Sequence, residues 1–507
     1  MLNDQGSASN SLGKKILRGV LSNLIGQGAV FILSFLLTPW LVKNLGAGGY
    51  GFYTLIWSLL SYALIFNFGS FYAAQYFTSK WREVSDRRGD LAFFLRKTFL
   101  YVLGSGTVVA ILLFEARHLL ADRFLHGHFT AFGSTVFALI SLSIPFYFMA
   151  QFFFNLLWGL KRFSLANTFL ALQAFLITGG ASLLVYFGFQ MKAIAVLFIF
   201  SQLVLSLAGF FFVWPLFSRP SSSALPQDRK DYLSFAAKSA LPLIFVTLVS
   251  QGDRAAVGFW LSLTQLGYYS LSASLAQKFN SISASVAAVS FPILSELVGK
   301  GEEERLRRIY LKASELSFFA LFPLSIFSFI LIPQFMSLWL GANFSQACTW
   351  PFRILVIANL LNLSIYMPSQ ISSARGNPHW ISYAWILKFA FLVPLWFVLI
   401  PRWGITGAAL GMLIAEVLVA APFLIWTHAL TLKLGVAEFL LSSVLRPLIA
   451  SLALGIFAFF FHALIGTWIG LISFSFLGLL IYLGASYLLI DADAKALLIE
   501  EISLKIR

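Results

Sequence analysis

The chain has a single cysteine, Cys348, among its 507 residues, so no internal disulfide can staple it. Charge is scarce too. Asp, Glu, Lys and Arg make up 11% of the residues, against about 25% in an ordinary soluble domain. With 59% hydrophobic residues and a mean hydropathy of +0.85, the chain has too little polar surface to stay dissolved. Its apolar stretches do not alternate with polar residues in a period of two, which excludes a membrane β-barrel. There is no glycine-rich phosphate loop of the Walker type and no His/Cys cluster with metal spacing. His126 and His128 flank Gly127 in what reads as a solvated outside loop. No extramembrane stretch is long enough for a catalytic domain, so an enzyme is not expected, nor a cofactor.

What the chain does have is a succession of apolar runs, each long enough to cross a bilayer, which takes about 20 residues. Fourteen helical spans are expected, at 19–42, 50–77, 98–117, 131–158, 168–187, 193–216, 239–260, 267–297, 315–338, 350–372, 381–400, 405–427, 447–466 and 468–490. Lys14, Lys15 and Arg18 look like the basic region of a signal peptide. The apolar stretch after them runs on to about Val42 with no small-residue cleavage site, so it reads as an uncleaved first span. The formal charge of +15 does not point to nucleic acid, because the basic residues follow the positive-inside pattern of membrane proteins. Only Lys43, Arg117, Arg123, Lys192, Arg353 and Arg402 fall in one set of loops, and Arg254, Lys278 and Lys388 fall within spans. All the other Lys and Arg gather on the opposite side, which places both termini in the cytoplasm.

The one linker-like stretch, Arg219-Pro220-Ser221-Ser222-Ser223-Ala224-Leu225-Pro226, follows the sixth span. It divides the chain into an N-terminal lobe at 1–218, a cytoplasmic linker at 219–238, a C-terminal lobe at 239–428, and a hairpin and tail at 429–507. A weak internal repeat agrees with that division. Tyr50 to Leu55 falls on Leu266 to Leu271 at an offset of 216. Met191 to Ala195 falls on Ile405 to Ala409, and Lys161 on Arg375, at an offset of 214. Six spans per repeat give both halves the same topology, a parallel repeat of a kind found in transporters.

Ionisable groups at membrane depth are costly and usually face a cavity or a partner. Asp253 and Arg254 lie within span seven, Lys278 in eight, Lys388 in eleven and Glu416 in twelve, and Arg353 opens span ten. Neighbours on a helix point about 100° apart, so Asp253 and Arg254 are not expected to pair simply with each other. Asp253 either makes a static interhelical ion pair or takes part in transport, and Arg353 either snorkels to the interface or binds cargo. Asn23, Gln27, Asn67 and Gln251 either glue helices together or hold a ligand. The buried cations outnumber the buried acids, which favours an anionic cargo over a cationic drug.

Four motifs then stand in order. The first is Asn23, Gln27, Pro39 and Leu45-Gly46-Ala47-Gly48-Gly49-Tyr50-Gly51. The second is Asn67-Phe68-Gly69. The third is Asp253-Arg254 followed by Leu266-Gly267-Tyr268-Tyr269, and the fourth is Trp403-Gly404-Ile405-Thr406-Gly407-Ala408-Ala409. On these the chain resembles the polysaccharide-transporter branch of the multidrug, oligosaccharidyl-lipid and polysaccharide exporter superfamily, over residues 14–428. The resemblance implies an all-α polytopic fold of about 14 transmembrane helices, two six-helix lobes and a C-terminal helix pair. It implies alternating access and a polyprenyl-pyrophosphate-linked oligosaccharide as cargo, flipped across the bacterial inner membrane for O-antigen, capsule or exopolysaccharide synthesis, with other polysaccharide-synthesis membrane proteins as possible partners. Asn67 stands where that family often has an acid. On this reading Arg254, Lys278 and Lys388 neutralise the pyrophosphate, Arg353, Asn23, Gln27, Asn67 and Gln251 complete the substrate site, and Asp253 or Glu416 binds a coupling proton or sodium ion. The alternatives are a multidrug exporter of the same superfamily, a peptidoglycan-precursor flippase, and a membrane glycan polymerase or ligase. The last is disfavoured by the shortness of the longest outside loop, Glu115 to Thr130.

Overall fold

The computed structural model describes residues 2–81, 88–125, 130–217, 226–377 and 379–489, with helices throughout and no β-strand among the described residues. Eleven helical segments among them are long and apolar enough to cross a membrane. The longest, residues 379–432, holds two of the expected spans, joined where the backbone leaves helical geometry at Gly404 (φ 57°, ψ −138°). Gly46 (φ 69°, ψ 171°) breaks α1, Leu2–Ala63, in the same way between the first two spans. The expected eighth span, 267–297, is not among the eleven, but it lies within one 38-residue helix, α10, Leu263–Lys300. Packing divides the chain into two units, Met1–Gly267 and Tyr268–Arg507.

In the first unit, α1 runs through a 3-10 turn at Leu64–Asn67 and two left-handed residues, Phe68 (φ 45°) and Gly69 (φ 77°), into α2, Ser70–Trp81. Then come α3 (Arg88–Glu115), α4 (Arg117–Leu125), α5 (Thr130–Gly159), α6 (Phe163–Ala174), α7 (Gly180–Tyr186), α8 (Met191–Phe217) and α9 (Pro226–Trp260). A π-turn at Phe175–Gly179 joins α6 to α7. Helix α5 is the hub, packed by α2, α3, α4 and α8. Four of its phenylalanines, Phe137, Phe148, Phe152 and Phe153, are fully buried. Phe211, on the outer face of α8, is 74% exposed, as suits a side chain meeting lipid rather than water.

Three features depart from the sequence reading. Helix α9 begins at Pro226 and α11 at Glu303, so much of the expected linker and of the loop before span nine is helix. Hydropathy registers only the apolar middle of a helix, not its polar ends. Helix α4 occupies part of what reads as an outside loop. And α9 packs against α1, α2 and α4, which puts the expected seventh span in the first unit rather than the second. Residues 218–225, His126, His128 and the tail beyond 489 lie outside the described residues.

Backbones approach closely in this unit between α1 and the first turn of α10. A Cβ on Gly51 would fall 1.9 Å from the Leu263 carbonyl oxygen, and one on Gly267 2.2 Å from that of Ala47. Gly51 and Gly267 are 216 positions apart, the offset of the sequence repeat, so the repeated glycines pack against each other's helices.

The second unit contains the rest of α10, then α11 (Glu303–Leu340), α12 (Ala342–Ala374), α13 (His379–Thr427), α14 (Val436–Phe439), α15 (Leu445–Phe461) and α16 (Trp468–Leu489). Helix α12 lies between α11 and α13, and the terminal pair α15 and α16 packs on α11. The Tyr482 hydroxyl of α16 donates to the Phe319 carbonyl at 2.5 Å. Ion pairs tie the basic ends of these helices, Arg375 to Glu303 at 2.6 Å and Arg307 to Glu438, and Lys312 pairs with Glu315 within α11 at 2.9 Å. Cys348 of α12 is fully buried, its thiol directed at the Tyr268 carbonyl at 3.4 Å.

Candidate functional site

Among the described residues, each unit buries a cluster of charged and amide side chains at membrane depth. In the first, Asp253 (2% exposed) and Arg254 (6%) lie in the membrane-depth part of α9. The guanidinium turns back along the helix. Its Nη1 donates to the Ser250 carbonyl and to Oε1 of Gln251, both at 3.2 Å. Ser58, on the facing side of α1, donates to the same Gln251 oxygen at 3.4 Å. Asp253 Oδ1 accepts the backbone N–H of Arg254 at 2.7 Å and lies 3.9 Å from Nη1. The expectation that these neighbours cannot pair is therefore corrected: they form a long ion pair, because a guanidinium on a flexible stem can fold back a full turn. Tyr62, one turn beyond Ser58 on α1, is close enough to feel both charges.

The second cluster straddles the break at Gly404. Lys388 lies before it in α13 and Glu416 after it, and the Lys388 ammonium donates to Oε2 of Glu416. Asn362 of α12 donates to the other carboxylate oxygen at 2.9 Å. Lys388 is 5% and Glu416 1% exposed, so this is a fully buried ion pair with both acceptor oxygens engaged. The ammonium also lies 5.2 Å from the centre of the Trp385 ring. Such a pair is held by the hydrogen bonds around it as much as by its charge, because burial removes the hydration of both ions.

The remaining predicted residues fall elsewhere. Asn67 is 1% exposed at the break before α2, where its Nδ2 donates to the Leu64 carbonyl and its Oδ1 is buried with no partner. Arg353 donates from Nε to the Phe329 carbonyl at 2.8 Å and stacks over the Phe329 and Trp350 rings at 5.0 and 5.3 Å, so it fastens α12 to α11. Lys278 lies exposed on α10 in the second unit. The side chains of Asn23 and Gln27 lie outside the described residues. The sequence reading matched two acids and three cations as a surplus of positive charge, whereas the structure sets Asp253 with Arg254 and Glu416 with Lys388. It did not single out Ser58 or Tyr62 as site residues. Ser58 and Tyr62 stand four apart on one face of α1, but a neutral serine and tyrosine in an apolar run carry no distinctive signal.

Among the described residues no group of three or more His, Cys, Asp or Glu is placed to hold a metal ion. Residues 86–349, just over half the chain, match a family described as polysaccharide biosynthesis protein. A protein of Shigella flexneri named as a candidate O-antigen transporter is 22% identical over 420 residues, 82% of this chain and 97% of its own. Among solved structures, the lipid II flippase MurJ in an inward closed conformation superposes with a TM-score of 0.70 at 15% identity, over 93% of this chain and 98% of that one. An inward-facing multidrug transporter of the MATE family superposes at 0.65 and 16% identity, over 78% and 93%. At such identities the structural likeness is one of fold.

Proposed function

We propose, from the premise that the chain belongs to the polysaccharide biosynthesis protein family, that it flips a polyprenyl-pyrophosphate-linked oligosaccharide from the cytoplasmic to the outer leaflet of a bacterial inner membrane. The observation that carries this reading is the family match on a chain that crosses the membrane many times. The fold is shared with a lipid II flippase and with multidrug transporters alike, so the family, not the fold, points to a glycan cargo.

The first cluster supplies a chemistry for that cargo. A guanidinium binds phosphate oxygens through paired charge-assisted hydrogen bonds. Arg254 is the group we assign to the pyrophosphate, with Gln251 and Ser58 orienting it. Asp253 is its present anionic neighbour, and an arriving pyrophosphate competes for the same guanidinium. An Asp253 carboxylate released in this way can take up a proton or a sodium ion, which would link cargo binding to ion binding and bias the conformational equilibrium. Arg254→Ala is expected to abolish flipping while the protein still inserts and folds. Arg254→Lys, which keeps the charge but loses the fork, should retain a small residual rate. The readout is glycolipid translocation in proteoliposomes beside the elution profile of the solubilised protein. Full translocation by the alanine variant would remove Arg254 from the site.

The function itself is tested by deleting the gene and determining which lipid-linked glycans accumulate, and in which leaflet. A complete lipid-linked oligosaccharide trapped on the cytoplasmic side, with loss of surface polysaccharide, is the expected result. Unchanged lipid-linked glycans would remove the glycan reading and leave drug export to be tested. Single repeat units accumulating on the outer side would point instead to a polymerase.

A further inference from the structure

The first unit contains an open cavity of about 660 Å³ that lies apart from the Asp253–Arg254 cluster. It lies along α2 and the middle of α9, beside the end of α5 and the start of α6. This end of the unit carries Lys80, Lys161, Arg162, Lys230 and Lys238. Its volume falls within the range of small-molecule sites, about 300–1,000 Å³.

The lining holds five aromatic side chains and one cation. Tyr76 of α2 stacks on Phe235 of α9 with ring centres 4.4 Å apart and planes 14° off parallel. Trp158 of α5 meets Phe163 of α6 edge to face at 5.4 Å. Lys161 is the sole charged side chain among the residues lining the cavity. Its place is fixed by the end of α5 pressing on α2, where a Cβ on Gly159 would come within 2.6 Å of the Gln75 carbonyl oxygen.

The backbone of Lys161 marks the position further. Lys161 has φ 57°, in the left-handed region, which costs a residue with a Cβ about 1–2 kcal/mol. Its N–H donates to the Trp158 carbonyl at 2.9 Å, and that of Arg162 to Leu157 at 3.0 Å. The end of α12 closes with the same two bonds, from Gly376 to Ser373 at 3.0 Å and from Asn377 to Ser372 at 2.8 Å. There the left-handed residue is a glycine, Gly376 (φ 79°), so the structural counterpart of Lys161 is Gly376 rather than Arg375. The second unit closes this helix without strain, and the first keeps a lysine despite it. Backbone strain retained beside a cavity is characteristic of functional positions.

Aromatic faces stack on the C–H faces of sugar rings, and a lysine ammonium is a point charge suited to phosphate. We infer that this cavity is a loading site for the phosphorylated sugar end of the carried glycolipid, occupied on the cytoplasmic side before translocation. The inference rests on the proposed function and deepens it. A soluble nucleotide sugar presents the same two chemical groups, so the test must separate the two.

The test uses the full-length protein in lipid nanodiscs. The probes are a short-chain polyprenyl pyrophosphate carrying one N-acetylhexosamine, the same lipid without sugar, and a UDP-N-acetylhexosamine. Lys161→Gly relieves the left-handed strain, so it should unfold at or above the wild-type temperature, which rules out misfolding as a cause of any loss. It is expected to bind the glycolipid about tenfold more weakly, because one charge-assisted contact is gone, and to flip it more slowly at low concentration. Tyr76→Ala should weaken binding of the glycolipid but not of the sugar-free lipid. Wild-type affinity in Lys161→Gly, or tighter binding of the UDP-sugar than of the glycolipid, overturns the loading site while leaving the flippase reading intact. Absence of glycolipid binding and flipping in the wild type removes both.

Discussion

Lys388→Ala is expected to lower the folding stability by about 3–5 kcal/mol, the usual consequence of leaving one member of a buried ion pair without the other. Glu416 is 1% exposed and accepts from both Lys388 and Asn362, so its carboxylate would keep one amide donor and no countercharge. Glu416→Ala should be comparably damaging for the mirror reason. The double variant Lys388→Met/Glu416→Leu removes both charges together and should recover most of the lost stability, because well-packed apolar side chains of similar volume can replace a buried pair at little cost. Thermal unfolding in detergent measures all three. If the double variant is as unstable as the singles, the pair is not the source of the loss. If it is stable yet fails to translocate glycolipid, then the pair takes part in transport, as the sequence reading held open for Glu416.

Gly51→Leu should also be strongly disruptive. A Cβ at this position meets a main-chain carbonyl at 1.9 Å, and a carbonyl within a helix cannot swing aside as a side chain can. Overpacking usually costs about 1–3 kcal/mol and occasionally more, and a clash of backbone with Cβ belongs at the upper end. Gly267→Leu, in contact with Ala47 at 2.2 Å, should behave alike. The loss is measured as folded protein recovered from membranes together with its unfolding temperature. A leucine variant of either glycine with wild-type stability would mean that α1 and the segment Leu263–Gly267 do not pack this closely.

Much of the fold was legible because its signal is local. An apolar run of twenty residues fixes a helix whatever lies around it, and the clustering of lysine and arginine needs no knowledge of packing. What was not legible depends on partners distant in the chain. Lys388 and Glu416 each stood out as charges at membrane depth, but their pairing depends on the break at Gly404 folding one half of α13 back on the other. Asp253 and Arg254 were separated on a helical wheel, which gives the direction of a Cβ but not the reach of an arginine. The polar starts of α9 and α11 read as loop because nothing apolar marks them. Lys161 was matched to Arg375 by letter, one position away from the residue that shares its backbone geometry.

Cys348, fully enclosed in α12, gives the molecule a practical property of its own. A membrane-impermeant maleimide added to intact membranes finds no native thiol to react with. A cysteine introduced at Tyr76 or Lys161 would then be the sole reactive group in an otherwise natural chain. Labelling from either side of the membrane would report which face that position occupies, and protection by added glycolipid would report what covers it.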